Sequence, residues 1–208
     1  MREFICNEPS AAAHAELLLA HGAGAAMDTP FMEAIATGLA DKGIRVSRFE
    51  FPYMSKRRED GKRRGPDTQR VLLQTWRDVI DQQRTSLPLF IGGKSMGGRM
   101  ASLIAGESEV SGLVCLGYPF HPAGRPEQVR IEHLQSLACP TLIVQGERDS
   151  FGRPDELADY ALADSIELTW VPDGDHSFKP RKSSGRTPAE NLALAVEATA
   201  GFILSHLP

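Results

Sequence analysis

LPLFIGGKSMGGRM, residues 87–100, passes from an apolar segment through Gly93-Lys94-Ser95-Met96-Gly97 into residues able to begin a helix. It reads as strand, sharp turn, helix. A serine at the apex of such a turn sits in strained backbone, and the residues two before and two after it must lack bulk so that strand and helix can approach. Gly93 and Gly97 meet that need, and Gly92 and Gly98 widen the clearance. Held in this way, the Ser95 hydroxyl would stand above the sheet edge, with the Met96 N–H and the helix start beneath it as donors to developing negative charge. Gly-Lys-Ser also ends a phosphate-binding Walker A loop. That motif requires a glycine five residues before its last one, where this chain has Pro88 inside an apolar strand.

Strand-like and helix-like segments alternate on both sides of the turn. A short edge strand is expected at 4–6. The run at 15–20, AELLLA, is apolar and ends in His21-Gly22-Ala23-Gly24-Ala25, so it reads as a buried strand entering a glycine-rich loop. Asp28-Thr29-Pro30 caps a helix over 31–41, and 44–51 alternates as a strand does. Residues 53–66 carry KRREDGKRRG and are expected as a solvated, mainly basic loop. Helices are expected over 67–85, from the turn to 105, over 131–137, 154–163 and 188–207, with strands at 110–116, 141–145 and 166–171. Apolar strands alternating with helices predict an α/β fold: a doubly wound, mostly parallel sheet covered on both faces.

In such sheets the chemistry collects in loops beyond the carboxyl ends of the strands. Ser95 follows one strand, Asp149 in Gly146-Glu147-Arg148-Asp149 the next but one, and His176 in Asp173-Gly174-Asp175-His176 the last. A serine nucleophile needs a base to take its proton, and the base needs a carboxylate on its far nitrogen. The order Ser, Asp, His is the one expected after this kind of turn. Of the six histidines only His176 lies in the loop directly after the final strand. Asp173 and Asp175 lie so near it in sequence that they more naturally shape its turn. A second backbone donor to an oxyanion is expected from the loop after the first central strand, at the Ala23 N–H with Gly24 as the alternative, beside the Met96 N–H.

At 208 residues, 41% hydrophobic and 24% charged, the chain suits a single domain, 1–208, with a core large enough to need no disulfide. A net charge of −4 gives no overall pull toward nucleic acid or an anionic membrane. Three cysteines at unrelated spacings read as reduced thiols and fit a cytoplasmic location. No apolar run approaches the roughly 20 residues of a membrane span, and Met1-Arg2-Glu3-Phe4 lacks the shape of a signal peptide. The reading calls for no metal and no cofactor, and for a small-molecule acyl substrate as partner.

HGAGA, GKSMGG, QGERD and DGDHSF fall in an order that resembles the α/β-hydrolase superfamily across nearly the whole chain. HGAGA, GKSMGGRM and DHSF most resemble small cap-less bacterial proteins of the dienelactone-hydrolase-like branch, to which a testis-expressed animal protein and a subunit of a chromatin-modifying complex are similar. The resemblance implies Ser95, Asp149 and His176 as a catalytic triad and an ester- or thioester-cleaving potential. Dienelactone hydrolases carry cysteine where Ser95 stands, which argues against transferring their substrate. The alternative function is a non-catalytic interaction module on a hydrolase fold.

Residues 120–130 are a short connection where relatives often insert a lid, so an open site is expected. Lys94, Arg181, Lys182 and Arg186, with the basic stretch 56–64, all belong to the same sheet edge. They suggest a substrate bearing a carboxylate or phosphate.

Overall fold

A computed structural model describes residues 3–83 and 85–208. Its strands are β1 (Phe4–Asn7), β2 (Ala15–Ala20), β3 (Ile44–Phe49), β4 (Leu89–Lys94), β5 (Gly112–Leu116), β6 (Thr141–Gly146) and β7 (Ile166–Val171). They form one sheet in the order β1-β3-β2-β4-β5-β6-β7. β1 runs antiparallel to β3 at one edge, and every other pairing is parallel. The helices are α1 (Pro30–Ala40), α2 (Pro52–Asp60), α3 (Gln69–Gln82), α4 (Met96–Ser102), α5 (Pro154–Leu157) and α6 (Pro188–Ser205).

Strand alternation divides the core into two layers. Leu17 and Leu19 of β2 point to one face, where Ile35 and Leu39 of α1 meet Val196 and Ile203 of α6. Leu18 and Ala20 point to the other, where Leu72, Trp76 and Val79 of α3 meet Met100 and Ala101 of α4. The sheet is therefore doubly wound, as its near-continuous apolar strands require. Trp76 is fully buried, and its indole N–H donates to the Gly97 carbonyl at 3.3 Å, which ties α3 to the turn after β4.

Several elements differ from expectation. Residues 52–60 are helix, not loop: Pro52 starts α2 and Gly61, at φ 69°, closes it in the left-handed conformation. Tyr53 and Met54 are buried under it, while Arg58 pairs with Glu50 at 2.6 Å and Asp28 at 2.9 Å. The expected helix at 154–163 stops at Leu157, because the chain turns to bond the Ala163 N–H to the Leu134 carbonyl at 3.0 Å and brings Tyr160 and Leu162 against the core. Residues 131–137 hold only a 3₁₀ turn, Glu132–Gln135, and α4 ends at Ser102, followed by another such turn at Ala105–Glu107. In the span expected as helix over 67–85, α3 covers Gln69–Gln82, and Arg84 lies outside the described residues, as do Met1 and Arg2. Between β5 and β6 no further layer is inserted, so no cap covers the carboxyl edge of the sheet.

Candidate active site

Ser95 is held between β4 and α4 at φ 52°, ψ −117°, a conformation that a residue with a side chain adopts only when its surroundings enforce it. The enforcement is visible. The Ser95 N–H donates to the Leu116 carbonyl and its own carbonyl accepts from the Arg99 N–H, both at 3.0 Å. A β-carbon at Gly93 would lie 2.6 Å from the Ala20 carbonyl oxygen, and one at Gly97 only 2.5 Å from that of His21. Neither position has room for a side chain. The Met96 N–H, at the first position of α4, has no intrahelical acceptor.

His176 and Asp149 arrive from the loops after β7 and β6. The Ser95 hydroxyl lies 2.9 Å from His176 Nε2, and His176 Nδ1 lies 2.7 Å from Asp149 Oδ2. Asp149 is fully buried, and it accepts from Gln145 Nε2 at 3.0 Å and from the Phe151 N–H at 2.9 Å. A buried carboxylate with three donors is fixed in place. Those donors assign the His176 proton to Nδ1 and leave the Nε2 lone pair facing Ser95. The Phe151 ring stands 4.5 Å from the His176 ring and covers one side of it. Asp175 shapes the turn, accepting from the Ser177 N–H at 2.8 Å and the Lys179 N–H at 3.0 Å.

The loop after β2 is built from within. His21 is fully buried, its Nε2 accepts from the Phe51 N–H at 3.1 Å, and its Nδ1–H donates to the Gly22 carbonyl at 2.7 Å. Burial lowers its pKa, so the ring is neutral. Tyr53 Oη meets the Gly22 carbonyl at 3.3 Å and the Ala23 carbonyl at 2.9 Å. Because the peptide is trans, a Gly22 carbonyl turned toward His21 and Tyr53 turns the Ala23 N–H the opposite way, and the Ala23 carbonyl does the same for the Gly24 N–H. The loop touches the serine: a β-carbon at Gly22 would lie 3.7 Å from Ser95 Cβ. A cavity of about 390 Å³ adjoins it, lined by Gly24, Thr29, Met54 and Arg57 among others.

A family model described as an alpha/beta hydrolase domain matches residues 13–204. The chain belongs to the alpha/beta hydrolase family. Solved structures of similar shape include a serine hydrolase without a lid from Xanthomonas campestris, 21% identical with a TM-score of 0.73 over 98% of this chain and 88% of that one. A dienelactone hydrolase from Anabaena variabilis is 20% identical, TM-score 0.70, over 98% and 91%. Est1E from Butyrivibrio proteoclasticus, solved with ferulic acid bound, is 16% identical, TM-score 0.71, over 98% and 94%.

The cations of this alpha/beta hydrolase are dispersed in their partnerships. Lys94, the last residue of β4, is buried at 8% exposure with no hydrogen-bond partner for Nζ among the described residues, and it stands 5.7 Å from the Phe31 ring. Burial, opposed by the charges of Asp149 and Asp175, brings its ammonium down to about 8. Arg181 is committed to Asp173, at 2.5 Å from Nη2 and 2.8 Å from Nε. Lys182 is exposed in a 3₁₀ turn, and Arg186 bonds Asn191 at 2.7 Å. The structure brings Ser95, His176 and Asp149 into contact, while of the expected anion-binding residues Lys94 is buried without a hydrogen-bond partner and Arg181 is paired with Asp173. Sequence reasoning missed Gln145, Phe151 and Tyr53. Gln145 carried a signal, as the polar residue near the end of an apolar strand four positions before Asp149.

Proposed function

We propose that this protein is a serine hydrolase cleaving small esters, thioesters or related acyl compounds through an acyl-enzyme. The observation that carries the reading is the unbroken hydrogen-bonded series from Ser95 Oγ through His176 to buried Asp149. His176 Nε2 takes the hydroxyl proton as Ser95 Oγ attacks the acyl carbon, and Asp149 stabilises the imidazolium through Nδ1–H. The N–H groups of Met96 and Ala23, with Gly24 as the alternative, receive the charge on the tetrahedral oxygen. His176 then protonates the leaving oxygen or sulfur, which departs and leaves Ser95 acylated. A water that gives its proton to His176 attacks the ester so formed, and collapse of the second tetrahedral intermediate returns the serine and releases the acid.

The solved neighbours include a serine hydrolase and a dienelactone hydrolase, which supports hydrolysis as the reaction class, but at 16–21% identity they supply no substrate. The absence of a cap and a serine reached from an open sheet edge favour short acyl groups over long chains. A series of p-nitrophenyl esters from acetate to decanoate tests the reading. Turnover should be greatest with the short esters and fall at least about 10³-fold in Ser95→Ala. No hydrolysis of any member by folded protein would oppose it.

A further inference from the structure

The side chain of Lys94 runs beneath the reacting groups from one flank of the site to the other. Its stem lies under the loop after β2: a β-carbon at Gly22 would be 3.7 Å from Lys94 Cγ and 3.7 Å from Ser95 Cβ. Its head reaches the turn after β5. A β-carbon at Gly117, a residue at φ 68°, would lie 2.8 Å from Lys94 Nζ, 3.1 Å from the His176 carbonyl oxygen and 3.3 Å from His176 Nδ1. Because residue 117 has no side chain, the ammonium and the imidazole share the space beside it, within the roughly 6 Å over which one charge governs the protonation of another group. The Phe31 ring stands 5.7 Å from Nζ on the side of α1.

The charges that act on Lys94 are those of Asp149, in the loop after β6, and Asp175, in the loop after β7. Other charges of those loops are engaged elsewhere: Arg148 and Arg181 hold Asp173, and Glu147 accepts from the Asp173 N–H. On α1, Glu33 is bonded to Arg48, and the loop after β2 contributes the neutral ring of His21. Asp149 already accepts from Gln145 and the Phe151 N–H and meets His176 Nδ1, and Asp175 accepts from the Ser177 and Lys179 N–H groups. Lys94 Nζ, buried and without a hydrogen-bond partner among the described residues, therefore supplies charge and no bond. An ammonium so placed is costly to the fold, and costs of this kind concentrate where a protein's chemistry is done.

Asp149 orients His176, but its charge, joined by that of Asp175, also favours the imidazolium, and an imidazolium cannot take the proton of Ser95. A positive charge beside the same ring opposes that protonation. We infer that Lys94 is a positioning residue for the reaction, its ammonium offsetting the charges of Asp149 and Asp175 so that His176 Nε2 remains a free base in mildly acidic solution. This rests on the serine-hydrolase reading and adds a fourth charged group to its machinery. Lys94 acts through His176, and its enclosed Nζ does not meet the substrate.

The test measures kcat/KM for p-nitrophenyl acetate from pH 5 to 7, where Lys94 holds its proton, since the acid limb reports the base of the free enzyme. In Lys94→Met the limb should move to higher pH by about 0.5–1 unit, a roughly 3- to 10-fold loss at pH 6 relative to the plateau. Lys179→Met removes an exposed positive charge close to His176 in sequence and should leave the limb in place. A limb unmoved in Lys94→Met, or moved equally in both variants, overturns the proposal. Far-UV spectra across the range check that each protein is folded, and Lys94→Gln carries the same comparison should Lys94→Met not fold. Should no ester be turned over, the hydrolase reading fails by itself, and titration of the His176 ring, followed by NMR and assigned with His176→Asn, decides the role of Lys94. An upward displacement of that titration in Lys94→Met supports it, and no displacement overturns it.

Discussion

Tyr53 Oη lies 2.9 Å from the Ala23 carbonyl oxygen, so a residue of α2 fixes the peptide that presents the Gly24 N–H, and through Gly22 the one that presents the Ala23 N–H. Tyr53→Phe keeps the buried ring and removes the donor. It should lower kcat on a short ester by about 10-fold with little change in KM, less than the roughly 10²–10³ lost when an oxyanion donor is removed outright, because His21 still holds the Gly22 carbonyl. Steady-state kinetics on a protein of unchanged far-UV spectrum checks this. A kcat within 2-fold of wild type would show that the loop holds its shape without the phenol.

The glycines of the turn make a steric prediction. Gly97→Ala places a β-carbon 2.5 Å from one carbonyl oxygen and 2.8 Å from another, whereas Gly24→Ala meets nothing within 4 Å. Gly97→Ala should destabilise by about 3 kcal/mol or more, and Gly24→Ala by less than about 0.5 kcal/mol, measured by urea unfolding. Equal midpoints for the two variants would mean that the turn relaxes freely.

His21 makes stability depend on pH. Its folded pKa lies below the ordinary 6.5, so the unfolded chain binds more protons in acid and stability falls as pH drops through and below 6.5. Protonation removes the Nε2 lone pair that accepts from the Phe51 N–H. Melting curves from pH 7.5 to 5 should show this loss, and His21→Gln should flatten the slope. A slope unchanged in His21→Gln would assign the acid sensitivity elsewhere.

Lys94 follows the same logic in a higher pH range. Its folded value of about 8 lies below the ordinary 10.5, so between those pH values the unfolded chain holds more protons and stability rises with pH. Below about 8 the fold carries a buried ammonium, and the shift corresponds to a cost of about 3 kcal/mol. Lys94→Met should stabilise the protein at pH 7 by about 1–3 kcal/mol, since the charges of Asp149 and Asp175 lose a counter-charge at the same time. The gain should shrink as pH passes from 8 to 10.5. Denaturant unfolding at pH 7 and pH 10 checks it, and destabilisation at pH 7 would show that the lysine is needed against the two aspartates.

The turn at Ser95 was legible because its constraint is local: β4, two crowded glycines and α4 are consecutive in sequence. Asp149 and His176 were legible as places, each just past a strand, while their contact depends on the sheet order β4-β5-β6-β7. Helix α2 was not read, since its charges, Lys56 to Asp60, resemble a solvated run. Its signal lay at the ends, in Pro52 and Gly61. Lys94 was read as a candidate anion-binding charge at the sheet edge, but its burial was not legible because a strand's final residue can face either way, and here it stands beside Phe31.

The central claim is that Ser95 is an activated nucleophile. Incubation with a fluorophosphonate probe, followed by peptide mass spectrometry, tests it most directly. The expected result is one adduct per chain on Ser95, absent in Ser95→Ala and formed at least about 100-fold more slowly in His176→Ala. A folded wild-type protein that stays unlabelled, or a label that persists in Ser95→Ala, would contradict it.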